Sequence, residues 1–335
     1  MPAKQVMSGK LIVLTAHIRP LRPADREVVA AMFAVAYPER ADDLAWQDDK
    51  IQRWVATDRA RVVGYGSFWP VRDHRFRMDL TVAPEHRRSG TGSQLLGVLV
   101  GRAHAAGATT LQARTESDRL QALAFLTRRG FAETMRMHRL VLYVASATLE
   151  PYAEVERRLA ADDITLTSLA DELHRIGDAC WHRFCAAYHA AREGWPDPDP
   201  DGGPPASPSV AEFRRMYGQS ARRLYVEYAR LWQEPCILAT HGDQIVGFAG
   251  AVGTGVRPAL RGRGIATAMK LRVIAAARER DVTTLRSSTG NPAMVKVNER
   301  LGYRVTTTEV RVVRRLEQTQ AGMSVGDATT RQRPG

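Results

Sequence analysis

The chain has 335 residues, 44% of them hydrophobic, with a formal charge of +12; that is room for two domains with their own cores and an ordinary globular composition. No apolar run reaches the roughly 18 residues of a membrane span, and Met1 to Lys10 lacks the apolar core of a signal peptide. Cys180, Cys185 and Cys236 are too scattered for a disulfide framework or a tetrahedral metal site, so a cytoplasmic location, no membrane contact and no metal are expected.

In chain order, Leu11 to Leu21 reads as a strand, and Arg22-Pro23-Ala24-Asp25 opens a helix whose Val28, Val29, Met32, Phe33 and Ala36 recur at helical spacing. A short polar helix is expected around Asp42 to Lys50. Strands follow at Gln52 to Thr57 and Arg61 to Trp69, then a turn over Pro70 to Arg75 and a strand from Phe76 to Ala83. A helix from Thr91 to Ala106 puts Leu95, Leu99 and Ala103 on one face; strand Thr110 to Thr115, helix Asp118 to Arg129 and strand Thr134 to Val144 complete the first half.

The second half repeats that order after a charged helical linker, Glu150 to Ala161. Ile164 to Leu169 is a strand, Asp171 to Ala191 a long helix, and Val210 to Tyr217 and beyond another helix. Cys236 to Thr240 and Gln244 to Ala251 form a hairpin. Helix Ile265 to Glu279, strand Thr283 to Ser287, helix Pro292 to Arg300 and strand Thr306 to Arg314 close it. The implied layout is domains over 11–147 and 162–316, a linker over 148–161 and a disordered polar tail over 317–335.

One stretch occurs twice. Val82-Ala83-Pro84-Glu85-His86-Arg87-Arg88-Ser89-Gly90-Thr91-Gly92-Ser93 and Val256-Arg257-Pro258-Ala259-Leu260-Arg261-Gly262-Arg263-Gly264-Ile265-Ala266-Thr267 share the frame V-x-P-x-x-R-x-x-G-x-G/A, between an apolar strand and a helix. Glycines let the backbone approach a ligand, and a loop opening into a helix aims unpaired N–H groups at one point. Arg87, Arg88, Arg261 and Arg263 add guanidinium forks suited to phosphate oxygens. Neither copy is a P-loop, having no Gly-Lys-Ser/Thr, nor a dinucleotide fingerprint, since Leu95 and Thr267 stand where the third glycine belongs.

This frame resembles the coenzyme A pyrophosphate loop, R/Q-x-x-G-x-G/A, of the GNAT superfamily of acyl-CoA N-acyltransferases, matched by Arg87, Gly90 and Gly92 and again by Arg261, Gly264 and Ala266. Each copy is followed by a matching glycine-aromatic corner, Gly130-Phe131 and Gly302-Tyr303. The resemblance covers nearly the whole chain. It implies an α/β (α+β) architecture of two tandem GNAT folds, each a mixed, mostly antiparallel sheet flanked by helices, as in tandem members with one catalytic half. It further implies transfer of an acetyl or other acyl group from acyl-CoA, as cosubstrate, to a primary amine of a small molecule by direct attack on the thioester. A homodimer is left open. The implied cofactor contacts are Leu80, Thr81, Val82, Arg87, Arg88, Ser89, Gly90, Thr91, Gly92 and Ser93 in the first copy. In the second they are Val256, Arg261, Gly262, Arg263, Gly264, Ile265, Ala266 and Asn291.

An alkylammonium with a pKa of about 10.4 must lose a proton before it attacks. In the family a strand carboxylate before the loop serves, directly or through a water. Asp79 holds that place in the first copy, whereas Ala251-Val252-Gly253-Thr254-Gly255 in the second is shortened and has no carboxylate. The family's thiolate-protonating tyrosine would stand four residues before the corner glycine, where this chain has Leu126 and Asn298. Water is therefore expected to protonate the thiolate, and the first copy is favoured for the chemistry. Tyr65, Trp69 and His74 are candidate acceptor-side residues, Glu85 and His86 surface ones. The insertion Trp195 to Pro205 falls where such proteins line the acceptor site. Two other readings predict different things: a non-catalytic CoA-binding module binds without turnover, and a nucleic-acid binder shows affinity falling steeply with salt. The five lysines (Lys4, Lys10, Lys50, Lys270, Lys296) and the many arginines are spread along the chain rather than gathered on one face, so no nucleic-acid partner is expected.

Overall fold

The computed structural model describes residues 16–37, 44, 46–149, 152–193, 195, 207–228, 236–250 and 252–316. The start of the first expected strand, most of the Trp195 to Pro205 insertion and the expected tail lie outside them. So does part of the expected polar helix, although Trp46–Gln47 and Asp49–Lys50 are turns.

Two compact units emerge. Among the described residues, the first holds those up to Arg114, Ala124–Ala132 and Val312–Leu316; the second holds those within Thr115–Leu123 and Glu133–Arg311. In the first, β1 (His17–Pro20), β2 (Gln52–Asp58), β3 (Arg61–Arg72) and β4 (Arg75–Val82) form an antiparallel meander, and β5 (Thr110–Glu116) joins β4 in parallel. The end of β12 (Arg304–Arg315) lies next to β5. Helix α1 (Arg26–Ala36) buries Val29 and Phe33 against Val55 and Tyr65 on one face of the meander. Helix α2 (Thr91–Ala105) covers the other with Leu95, Leu99 and Ala103, all fully buried. That helix was legible from its 3.6-residue periodicity.

In the second unit, β7 (Ile164–Ser168), β8 (Ile237–His241), β9 (Gln244–Gly250) and β10 (Gly253–Val256) make an antiparallel sheet in the order β10-β9-β8-β7. A further set runs β12-β6-β11, with β6 (Ala132–Tyr143) antiparallel to β11 (Thr284–Thr289). Helices α4 (Tyr152–Ala161) and α8 (Ile265–Glu279) close one core, with Val155, Leu159, Ile265, Ala268 and Met269 buried together. An aromatic core containing Trp181, Phe184, Tyr188, Phe213 and Phe248 fills another.

The long helix expected from Asp171 to Ala191 is two helices, α5 (Leu169–Ile176) and α6 (Ala179–Ala191). Gly177 breaks it with φ 58° and ψ −144°, outside the helical region, while Ser168 caps α5 through the Asp171 N–H. Helix α7 (Val210–Tyr228) follows.

The shortened strand β10 is held by close packing. A Cβ at Gly255 would stand 2.6 Å from the Phe248 ring and 2.7 Å from the Ala191 Cβ, so the α6 end sits directly on the strand backbone. Gly255→Ala is expected to destabilise the protein by about 1–3 kcal/mol through overpacking, read as a lower urea midpoint at unchanged slope; an unchanged midpoint would mean that α6 moves aside freely.

Candidate active site

Strands β4 and β5 pair only at Arg75↔Thr110, Phe76↔Leu111 and Arg77↔Gln112, and the ladder ends there. Beyond it the edge of β4 that faced β5 is open. The Ala83 N–H donates to the Val63 carbonyl on β3 at 2.9 Å, so strand alternation turns the main-chain groups of Leu80 and Val82 toward the open edge. Two side chains confirm the direction. The Tyr37 hydroxyl donates to the Leu80 carbonyl at 3.2 Å, and Arg87 Nε donates to the Val82 carbonyl at 3.0 Å.

Asp79 lies on the neighbouring, α1-facing side of β4, opposite Ser67 and one step from the Thr81↔Tyr65 pair. It is 9% exposed, and Tyr65 beside it 2%. Burial pushes the Tyr65 phenol up, with the Asp79 charge adding to the effect and a hydrogen bond with Ser67 opposing it. Asp79, Tyr65 and Ser67 are thus one buried polar row beside the open edge. His74 is elsewhere: it sits in the β3–β4 turn with Nδ1 3.1 Å from the Gly107 carbonyl, at the closed end of the strand pair. Trp69 is opposite Arg77, where the ladder stops.

After β4 a short turn, Pro84–His86, leads into an extended Arg87; Arg88 then takes φ 62° and Gly90 φ 96°, at the cap of α2. The loop is braced from inside, Ser89 Oγ donating to the His86 carbonyl at 2.6 Å and lying 2.8 Å from Thr91 Oγ1. The N–H groups of Arg88, Ser89, Gly90, Thr91 and Gly92 meet no acceptor among the described residues. Such a run of amides at a helix start is an anion cradle.

The second copy reproduces this backbone. Arg257 N–H donates to the Val246 carbonyl, Arg261 Nε to the Val256 carbonyl at 3.2 Å, and Gly262 and Gly264 take φ 81° and 86°. Arg88 thus holds a left-handed conformation for which the other copy uses glycine, at a cost of about 1–2 kcal/mol. Strain of this kind concentrates where a side chain is needed at a site.

The side chains around the loops differ. Arg87 and Arg88 pair with no carboxylate among the described residues. In the second copy Arg261 Nη2 donates to the carbonyls of Ala191 at 3.0 Å and Glu193 at 2.8 Å, closing the end of α6, and Arg263 pairs with Asp162 at 3.3 Å. A Val155 methyl group of α4 stands 3.6 Å from where a Cβ of Gly264 would be, while nothing described comes within 4 Å of that place at Gly90. Ile265 is 1% exposed. Asn291 caps α9 (Pro292–Arg300), its Oδ1 accepting from the Ala293 N–H at 2.9 Å, and Asn298 is fully buried with Nδ2 donating to Ser287 Oγ at 3.3 Å.

Two features beside the first loop escaped the sequence reading. Tyr37 reaches β4 from the end of α1, a contact between distant positions that no local pattern announces. Phe125, on α3 (Leu120–Thr127), lies 3.4 Å from where a Cβ of Gly92 would be, and Arg129 stacks on its ring at 3.8 Å; an aromatic four residues before an arginine was the available signal. Among the described residues no group of side chains is arranged to hold a metal, and no helix is long and apolar enough to cross a membrane.

A parallel strand pair that opens above a glycine cradle at a helix start, with the backbone of the cradle built a second time in the same chain, defines a tandem α/β acyltransferase class. The acetyltransferase (GNAT) family model matches residues 24–131 and 207–303, and the chain belongs to that family, which uses acetyl-CoA as cosubstrate. A GCN5-related N-acetyltransferase from Sphaerobacter thermophilus aligns over 90% of this chain and 96% of its own, with TM-score 0.64 and 19% identity. A tandem GNAT protein from the clavulanic acid biosynthesis pathway aligns over 92% and 99%, with TM-score 0.54 and 18% identity. A glucosamine N-acetyltransferase region of a fungal multi-domain GH3 β-N-acetylglucosaminidase aligns over 89% of this chain and 38% of that one, with TM-score 0.63 and 16% identity. No curated protein matches the chain. At these identities the likeness is one of fold.

Proposed function

We propose that the protein is an N-acetyltransferase that moves the acetyl group of acetyl-CoA to a primary amine on a small molecule, with the chemistry in the first copy. The observation that carries this reading is the juxtaposition of Asp79, the open edge of β4 and the cradle of Arg88 to Gly92. The diphosphate of CoA takes the cradle amides and the forks of Arg87 and Arg88, and the thioester arm lies along β4.

The acceptor ammonium gives a proton to Asp79, directly or through a water, and the free nitrogen attacks the thioester carbon. The carbonyl oxygen, gaining the displaced electron pair, is held by a main-chain N–H of Leu80 or Val82. Collapse breaks the carbon–sulfur bond, the thiolate takes a proton from water, and the amide nitrogen gives its surplus proton to the hydroxide left behind, Leu126 standing where the family has its tyrosine. The second copy, whose Arg261 and Arg263 are engaged by its own chain, serves as scaffold in this reading.

Titration calorimetry with acetyl-CoA tests the assignment. One binding event per chain is expected, lost in Gly90→Val, where φ 96° is closed to a β-branched side chain, and retained in Gly264→Val. Binding that survives Gly90→Val and vanishes in Gly264→Val would place CoA in the second copy. Binding without turnover of any amine would leave a CoA-binding module.

A further inference from the structure

Close to the last glycine of the first cradle is a pair of guanidinium groups that the acyl-transfer step does not use. Arg129 stacks on Phe125 at 3.8 Å, donates through Nη1 to the Phe125 carbonyl at 3.2 Å and through Nη2 to Ser93 Oγ, in the first turn of α2. Its immediate neighbour is Arg128, and neither meets a carboxylate among the described residues. Burial, and then the like charge of Arg128, lower the pKa of Arg129. Two cations adjacent in sequence, with no carboxylate partner among the described residues and one of them fixed on a ring beside a cradle suited to a diphosphate, offer donors for a second anion. In the second copy, by contrast, Arg263 meets the Asp162 carboxylate at 3.3 Å.

Resting on the reading of the first copy as the CoA site, we propose that Arg128 and Arg129, with Phe125 as their platform, bind the 3′-phosphate of the CoA ribose and make the enzyme discriminate CoA from its 3′-dephospho form. The chemistry fits: CoA differs from simpler adenosine diphosphate thioesters by one phosphate monoester that is dianionic near neutral pH, and a pair of arginine forks suits it better than one point charge. The half-buried ring of Phe125 stands beside the cradle as a stacking partner for the adjacent base.

The test compares acetyl-CoA with 3′-dephospho-acetyl-CoA by titration calorimetry on the full chain. The wild type is expected to bind acetyl-CoA about tenfold or more tightly than the dephospho form. In Arg128→Gln/Arg129→Gln that ratio should fall to about two, through weaker binding of acetyl-CoA alone. Because Arg129 also braces α3, the single variant Arg128→Gln, whose wild-type side chain is exposed and makes no hydrogen bond among the described residues, serves as the second arm and should remove part of the preference with an unchanged melting temperature. Equal affinity for both ligands in the wild type overturns the proposal. So does equal weakening of both in the variants, which would assign the pair to the diphosphate or to the fold. Absence of heat with either ligand in the wild type overturns instead the reading of the first copy as a CoA site.

Discussion

Asp79→Asn is expected to lower kcat for amine acetylation by about 10²–10⁴-fold while leaving the affinity for acetyl-CoA within about twofold. The amide is nearly isosteric, so the β4 register opposite Ser67 and Tyr65 is kept; what disappears is the group that takes the ammonium proton. Asp79→Glu, which restores a carboxylate one methylene further out, should recover part of the rate. The measurement is free-thiol release with a panel of small primary amines, alongside calorimetry. A kcat within about threefold of wild type in Asp79→Asn would remove this residue from the chemistry and shift attention to a water held by backbone alone. Raising pH should rescue the variant more than the wild type, because the fraction of free amine then rises without help from a base.

Lys270 gives the second large expectation, this time in stability. It lies in α8, is 8% exposed, and has its Nζ 5.2 Å from the centre of the Tyr303 ring. Burial pulls its pKa down from 10.5 to about 8. The unfolded chain therefore binds more protons than the folded one between about pH 8 and 10.5. Stability attributable to this group rises with pH across that window, and the full penalty applies below it. At about 1.4 kcal/mol per unit the burden near pH 7 is about 3 kcal/mol. Lys270→Met, similar in length and apolar, is expected to raise the unfolding free energy by about 2–3 kcal/mol at neutral pH, part of the relief being offset by loss of the contact with the Tyr303 ring. The advantage should shrink steadily toward pH 10.5. The first copy supplies a precedent, since Leu96 at the equivalent step of α2 is an ordinary buried residue. Urea unfolding of both proteins at pH 7 and pH 10 decides it: a difference that does not change with pH would mean that the amine is not titrating in the folded state.

Much of this architecture was readable because it is local. The period of Leu95, Leu99 and Ala103, the glycine stops and the twin Arg-x-x-Gly frames each follow from sterics or helix geometry within a dozen residues. What was not readable depends on pairing between distant positions. Nothing in Arg261 itself tells that its fork closes the end of α6, since Arg87 sits in the same frame and, among the described residues, bonds to the end of β4. Nor does the sequence around Tyr37 indicate that its hydroxyl reaches the Leu80 carbonyl. The break at Gly177 was missed because apolar residues at helical spacing continue on both sides of it, and only the backbone angles separate the two helices.

Strand β6 is encoded by the first repeat yet is built into the second unit between β12 and β11, and the end of β12, encoded by the second repeat, is built beside β5. A gene fragment cut at the boundary of the duplication would consequently yield polypeptides with raw, unsatisfied sheet margins, prone to sticking to one another. Each repeat therefore depends on the other for its closing strand, however little chemistry it carries.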